Sequence, residues 1–116
     1  MEVRCIGFVP PMEGMEGEFN TFRMGGTLFR ALKPGDVVFL LDEKKKVVFG
    51  RAEVVELDNG PLMEMCILHG ARNHTQLSAD KSQASIGILQ VMQKIYGPHI
   101  AQPSRNATVI YLRRLE

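Results

Sequence analysis

Short apolar runs bounded by turn-forming residues fill the first half of the chain. Residues 3–9 (VRCIGFV) and 37–41 (VVFLL) are rich in β-branched and aromatic types, which predicts two buried strands. Pro10 ends the first run, since proline cannot donate to a strand ladder. Residues 33–36 (KPGD) form a turn before the second run, with proline and glycine at positions that suit their backbone angles.

Two longer segments predict further strands. Residues 19–24 (FNTFRM) place Thr21 and Arg23 on one face, because side chains two apart on a strand point the same way. Residues 47–57 (VVFGRAEVVEL) follow a charged hairpin loop. They contain Gly50, where a bulge would let the sheet curl toward a barrel.

The second half of the chain contains the clearest helix. Residues 58–61 (DNGP) are expected to end the preceding strand. Residues 62–69 (LMEMCILH) suit a short buried helix or another strand, and periodicity does not decide between them. From an N-cap at Ser78, apolar residues recur every three or four positions as far as Tyr96, which predicts a helix. Residues 107–115 (ATVIYLRRL) predict a final strand.

Length and charge narrow the class of protein. Residues 1–116 fit the size of one domain, and strands on both sides of a helix indicate an α+β fold built on a curled sheet. With 14 Lys and Arg against 13 Asp and Glu, the net charge of +1 is too small for a broad electrostatic hold on nucleic acid. Nucleic-acid binding would therefore require a local patch or a pocket.

Cysteine usage and hydropathy indicate the compartment. Cys5 and Cys66 both lie in apolar segments, and we expect both to be buried and reduced. The N-terminus has no signal-peptide pattern, and no run approaches the ~20 apolar residues of a membrane span. We therefore expect a cytoplasmic protein that does not associate with a membrane.

Thr21 and Arg23 are the first candidate site residues. In a cleft, the planar guanidinium of Arg23 would suit a phosphate or a base edge. The alternative is a structural ion pair of Arg23 with Asp36 or Glu53. The residues alone leave both interpretations open.

His69, Asn73 and His74 form the most polar cluster beside an apolar segment. Cys66 and His69 are three positions apart, a spacing that could provide two ligands of a metal site. The sequence has no second pair of ligands, so we expect no metal and no cofactor. The apolar neighbours of Cys66 predict a raised thiol pKa and an unreactive side chain. His69 is expected to cap the carbonyls at the end of its element.

Basic residues suggest a further possibility. Residues 44–46 (KKK) and 113–114 (RR) would make a phosphate-binding patch if they came together. The ordinary interpretation of such a run is a solvated loop. Trp is absent, so an extended stacking platform for single strands is not expected, whereas a pocket for one base is compatible with the sequence.

The order of several short motifs resembles the ASCH domain of the PUA-like superfamily. The motifs are TFR at 21–23, KPGDVV at 33–38, GRAEV at 50–54, HG at 69–70 and KIYG at 94–97. The resemblance covers nearly the whole chain. It implies a small curled β-barrel of about five to six strands flanked by one to three helices. It also implies a cleft for a nucleoside, a nucleotide or RNA.

One enzyme branch of this family, an amidohydrolase that acts on acylated nucleosides, uses a Lys, a Thr and a Glu in the cleft. By the TFR motif the Thr falls on Thr21 but the Lys falls on Glu18, and by the HG motif the Glu falls on Asn73. Glu18 has no ammonium to help activate a nucleophile, and Asn73 has no carboxylate to move protons.

The resemblance therefore implies a ligand site more directly than a reaction. The residues assigned to that site are Glu18, Thr21, Arg23, His69, Asn73 and His74. Three functions follow as expectations. The first is nucleotide or RNA binding without turnover, the second is amidohydrolysis of an acylated nucleoside, and the third is protein interaction.

Overall fold

The computed structural model describes residues 4–10 and 12–116. Five β-strands form one sheet in the order β1-β3-β4-β5-β2. The strands are β1 (Cys5–Phe8), β2 (Glu18–Met24), β3 (Val37–Asp42), β4 (Val47–Pro61) and β5 (Asn106–Arg114). The helices are α1 (Thr27–Ala31), α2 (Leu62–His69) and α3 (Ala84–Tyr96), and 3-10 turns lie at Gly70–Arg72 and Lys81–Gln83.

The sheet is curled, and β4 supplies much of the curl. β1 pairs in parallel with β3, whereas the other neighbouring strands are antiparallel. Register shifts leave Phe49 and Val55 of β4 without a direct partner opposite, so each marks a bulge. Bulges bend a strand and increase its twist. The first bulge is adjacent to Gly50, near the position that the sequence predicts.

The curl brings the two edge strands of the sheet within reach of each other. β1 and β2 are at opposite ends of the strand order. Nη1 of Arg23 in β2 donates to the carbonyl oxygen of Gly7 in β1, 2.6 Å away. A side chain, not a backbone ladder, thus connects the two edges, and the predicted α+β curled sheet with flanking helices is confirmed.

One predicted boundary is wrong, because β4 does not end before residues 58–61. Asp58 pairs with Val109 and Asn59 pairs with Thr108, so the strand continues along β5. Nδ2 of Asn59 also donates to Oγ1 of Thr108 at 3.0 Å. Pro61 is the last residue of the strand, where a missing N–H is tolerated.

The start of the long helix also differs from the prediction. Ser78 is not its N-cap, since α3 begins at Ala84 after a separate 3-10 turn. Asp80 caps that turn, accepting from the backbone N of Ser82 at 2.9 Å. The predicted end at Tyr96 is confirmed, because Gly97 follows with a φ of 88°. Residues 62–69, left open by the sequence, form helix α2.

Apolar side chains pack on both faces of the sheet. Inside the curl lie residues such as Phe8, Phe19 and Leu40, whereas Leu62 and Ile88 belong to the core between the sheet and the helices. The alternation along β2 therefore directs Phe19, Thr21 and Arg23 to the inside of the curl.

The two cysteines occupy different environments. Cys66, on the buried side of α2, lies in the core as predicted, and burial raises the pKa of its thiol to about 11. Cys5 is exposed at the start of β1, which corrects the expectation that it is buried. Over residues 4–10 and 12–116, no helix is both long enough and apolar enough to cross a membrane.

Two isoleucines of α3 test the packing between helix and sheet. Ile88 is 1% exposed, whereas Ile86 on the same helix is 48% exposed. We expect Ile88→Ala to lower the free energy of unfolding by about 2–5 kcal/mol, because it leaves a cavity in the core. Ile86→Ala is the control, with an expected change below about 0.5 kcal/mol. Equal losses in urea denaturation would contradict this assignment of the core.

Candidate functional site

A cleft opens between the two edge strands and α3. It has a volume of about 200 Å³ and is lined by polar groups of Thr21, Arg23 and His74 and by rings of Phe8 and Tyr96. A wider basin of about 510 Å³ adjoins it, lined by Val9, Pro10, Glu13, Thr75, Gln76, Val91, Lys94 and Ile95. Among the described residues, no strand pairing closes the seam between β1 and β2, and a small ligand therefore has access there.

Arg23 is a charged side chain that is buried in the wall of the cleft. Its guanidinium lies over the ring of Phe8, 4.8 Å from the ring centroid. Nη1 donates to Gly7 and Nη2 donates to Oγ1 of Thr21 at 3.2 Å. The buried Nε has no hydrogen-bond partner among the described residues. Burial lowers the pKa of Arg23, but an arginine stays charged in proteins.

The sequence correctly places Thr21 and Arg23 on one face, and the structure brings both into the cleft. The alternative role for Arg23 was an ion pair with Asp36 or Glu53. Asp36 instead accepts from the backbone N of Lys33, and Glu53 pairs with Arg113 at 2.6 Å. Within the described residues Arg23 has no ion pair closer than 4.0 Å, so its charge is compensated by a carbonyl, a hydroxyl and a ring face.

His74 lies in the cleft as a neutral ring. Its Nδ1 is 3.0 Å from the carbonyl oxygen of Glu13, and a carbonyl only accepts, so Nδ1 carries the proton. The ring also meets the edges of Phe8 and Phe19, at centroid distances of 5.5 and 5.8 Å. Burial, reinforced by the charge of Arg23, lowers the pKa of His74 from 6.5 to about 4. Nε2 is therefore an unprotonated acceptor at neutral pH.

Asn73 holds the loop that carries His74. Its Nδ2 donates to the carbonyl oxygen of Asn20 at 3.1 Å. Its Oδ1 accepts from the backbone N and from Oγ1 of Thr75, at 3.0 and 2.6 Å. The same Asn20 oxygen accepts from the backbone N of His74 at 3.3 Å. Asn73 borders the cleft, but its amide is occupied by these structural bonds, which fix the position of His74.

His69 and Glu18 lie outside the cleft. Nδ1 of His69 is 2.7 Å from the Tyr111 hydroxyl, and Nε2 is 2.7 Å from Oδ2 of Asp58. Both ring nitrogens are thus occupied, and His69 ties the end of α2 to the sheet. Glu18 pairs at 3.4 Å with Arg72 on the surface. Glu18 and Thr21 are three positions apart along β2, which places them on opposite faces.

Glu43 is a cleft residue that the sequence did not single out. It follows β3, and its carboxylate lies over Gly7, where a Cβ would overlap it. One carboxylate oxygen pairs with Lys46 at 2.8 Å. The sequence places Glu43 in a charged hairpin loop, and only the curl of the sheet shows that this loop reaches β1.

The described residues form neither a metal site around Cys66 and His69 nor a basic patch from residues 44–46 and 113–114. No group of three or more His, Cys, Asp or Glu residues in ranges 4–10 and 12–116 is arranged to hold a metal ion. Arg113 pairs with Glu53, and Arg114 donates to backbone oxygens that include those of Met15 and Phe49. These arginines are thus committed to local contacts and do not extend the lysine hairpin.

Gly14 lies directly against the loop that carries His74. It has a φ of 71°, and a Cβ there would overlap the carbonyl oxygen of His74. We expect Gly14→Ala to destabilise the fold by about 2 kcal/mol or more, since both the backbone angle and the overlap oppose it. Gly17→Ala is a matched control, because nothing lies within 4 Å of its Cβ. Similar midpoints for both variants in thermal unfolding would disprove the contact.

The neutral state of His74 predicts a pH dependence of stability. Because its folded pKa of about 4 lies below the ordinary 6.5, the unfolded chain binds the proton first. Stability is complete above pH 6.5 and falls as the pH drops toward 4, by roughly 3 kcal/mol at about 1.4 kcal/mol per pKa unit.

The measurement is urea denaturation at several pH values, with His74→Gln as the comparison. The variant should lack this loss and show a flatter profile from pH 6.5 to 4. The carboxyl groups of Asp58 and Asp80 also have lowered pKa values, and their effect on stability is shared by both proteins. Parallel profiles would show that His74 is not held neutral.

Solved structures with a similar fold include three proteins of low sequence identity. Protein PH0355 superposes with a TM-score of 0.63 at 15% identity, over 94% of this chain and 95% of that chain. EF3133 from Enterococcus faecalis, described under the family model DUF984, gives a TM-score of 0.58 at 8% identity. That match covers 85% of this chain and 61% of EF3133, so this chain spans less than two thirds of EF3133.

A mutant of ZmASCH from Zymomonas mobilis gives a TM-score of 0.55 at 13% identity, over 94% of this chain and 67% of that chain. No protein-family model matches the sequence. No curated protein matches it either. At such identities the likeness concerns the fold alone, and the conclusion is that this chain has an ASCH-like fold.

Proposed function

We propose that the protein is a nucleotide- or RNA-binding module of ASCH type, which takes a single nucleobase in the cleft at Thr21, Arg23 and His74. The observation that carries this proposal is the buried guanidinium of Arg23. It lies against Phe8 without a carboxylate partner among the described residues, and its Nε has no acceptor. A buried charge without a full set of acceptors is unfavourable, so a ligand that offers an acceptor to the remaining Nη hydrogens of Arg23 would be favoured in the cleft.

The shape and surroundings of the cleft favour one base over an extended strand. Its apolar walls include Phe8, Met92 and Tyr96, which suit the flat face of a heterocycle. A track for many phosphates would require a basic surface, and the net charge is only +1. The adjoining basin, with Lys94 at its margin, leaves room for the sugar and for the rest of a nucleotide.

The second candidate is an amidohydrolase that acts on an acylated nucleoside. The observation that favours it is the Thr21 hydroxyl, which accepts from Arg23 and so keeps its own proton available in the cleft. Glu43 adds a carboxylate to the same cleft. The protein-interaction alternative has no comparable feature in the cleft, and it would be favoured only if no small ligand bound.

An amide-resolved NMR titration tests the proposal. Labelled protein is titrated with cytidine, uridine, adenosine, guanosine, acetylated cytidine and a short single-stranded RNA. We expect shifts concentrated at Thr21, Arg23 and His74 for at least one of these ligands. Arg23→Gln should weaken that binding by about tenfold or more, because a charged hydrogen bond to the ligand is lost.

Arg105→Gln is the matched control, since Arg105 is exposed and lies outside the cleft. Its binding should equal that of the wild type. Growth of product peaks that Thr21→Val abolishes would replace simple binding by the amidohydrolase. The absence of any shift at millimolar ligand would reject the nucleotide proposal.

A further inference from the structure

We propose that the inner cleft selects an uncharged group that carries a hydrogen-bond acceptor beside a donor, and that His74 Nε2 is the acceptor that imposes this selection. This inference rests on the proposed function and deepens it. A nucleotide would enter with its base edge toward Arg23 and His74, and its phosphate would stay outside. An amide or amidine edge, as found on nucleobases, has the required pattern.

The donor side of this pattern belongs to Arg23. A guanidinium has five N–H groups. Two of those in Arg23 donate to Gly7 and to Thr21, which leaves three without an acceptor among the described residues. A ligand in the cleft must therefore offer an acceptor to this side chain.

The acceptor side belongs to His74. The carbonyl oxygen of Glu13 holds the proton on Nδ1, so the neutral ring presents only a lone pair at Nε2. In the part of the chain that the structure describes, the hydrogen bond of the His74 ring is made by Nδ1, which leaves Nε2 to a ligand. A ligand must offer an N–H or an O–H there, because two acceptors facing each other repel.

Both groups line the same cleft and contact the same phenylalanine ring. Arg23 lies over the face of the Phe8 ring at 4.8 Å, and the His74 ring meets the same Phe8 ring at 5.5 Å between centroids. The charge of Arg23 also reaches His74, since it contributes to lowering the pKa of that ring. A donor and an acceptor thus surround the Phe8 ring in the lining of one cleft.

This pairing distinguishes a base edge from an anion. A carboxylate or a phosphate diester would satisfy Arg23 but would present only acceptors to Nε2 of His74. The loop bonds of Asn73 and Asn20 prevent His74 from moving away easily, because they hold its backbone. We therefore expect anions to bind more weakly in this cleft than at an exposed arginine.

Matched ligands that differ by one donor test the inference. Cytidine is compared with its analogue lacking the 4-amino group, adenosine with purine riboside, and uridine with 3-methyluridine. 2-Pyridone and N-methyl-2-pyridone form a fourth pair without a sugar. For each compound that binds, we expect its partner without the donor to bind about tenfold or more weakly, since Nε2 is left unpaired. Acetate, which has only acceptors at neutral pH, should not displace any of them.

His74→Phe identifies the acceptor, because it keeps a ring between Phe8 and Phe19 but removes Nε2. The difference within each pair should disappear in this variant. His99→Phe, at an exposed histidine outside the cleft, should keep it. Thermal unfolding and the amide spectrum report whether His74→Phe is folded, and the wild-type pairs decide the question if it is not.

The outcomes separate this inference from the proposed function. Equal binding within the pairs, or competitive displacement by acetate, overturns the inference while nucleoside binding still stands. Discrimination within the pyridone pair without any nucleoside binding retains the inference and overturns the proposed function. Loss of both kinds of binding overturns both.

Discussion

The hydrogen bond from Arg23 to the carbonyl oxygen of Gly7 is the contact on which the cleft depends. A curled sheet with β1 and β2 at its two edges leaves unpaired backbone groups along its seam. Closing that seam with strand pairing would fill the space, whereas leaving it open would expose the core. A long side chain that reaches from one edge to the other keeps the edges together and leaves room for a ligand between them.

The same arrangement explains why a charged group is tolerated in an apolar environment. Arg23 is stabilised by the Phe8 ring, by a carbonyl and by a hydroxyl, and the attraction of a cation to a ring face increases when water is excluded. Glu43, in the same cleft, contributes a favourable field at longer range. The charge is therefore held in place without a direct ion pair within the described residues.

A second network sets the position of His74 from the opposite side of the cleft. Asn73 and Asn20 connect the loop after α2 to the edge of β2, and Asn20 also donates to the carbonyl oxygen of His69. His69, bonded to Tyr111 and Asp58, anchors the end of α2. The polar residues near position 70 thus divide into supports for the loop and one ring that faces the cleft.

Sequence and structure agree best where local pattern and tertiary packing act together. The alternation in residues 19–24 determines that Thr21 and Arg23 share a face, and the apolar period of α3 determines the helix and its end at Gly97. Asp58 fails as a strand breaker because its partner on β5 overrides the turn tendency of the segment. Ser78 fails as a helix start because Asp80 caps a separate 3-10 turn first.

The sequence by itself determined the approximate strands, the long helix, the α+β class and the fact that one polar pair shares a face of a strand. Only the tertiary structure decided which polar residues share a cleft. His69 and Glu18 lie elsewhere, whereas Glu43 comes in from a distant hairpin. Local periodicity records which face a side chain occupies, but the bulges of β4 set how far the sheet curls. That curl decides which edges, loops and side chains meet.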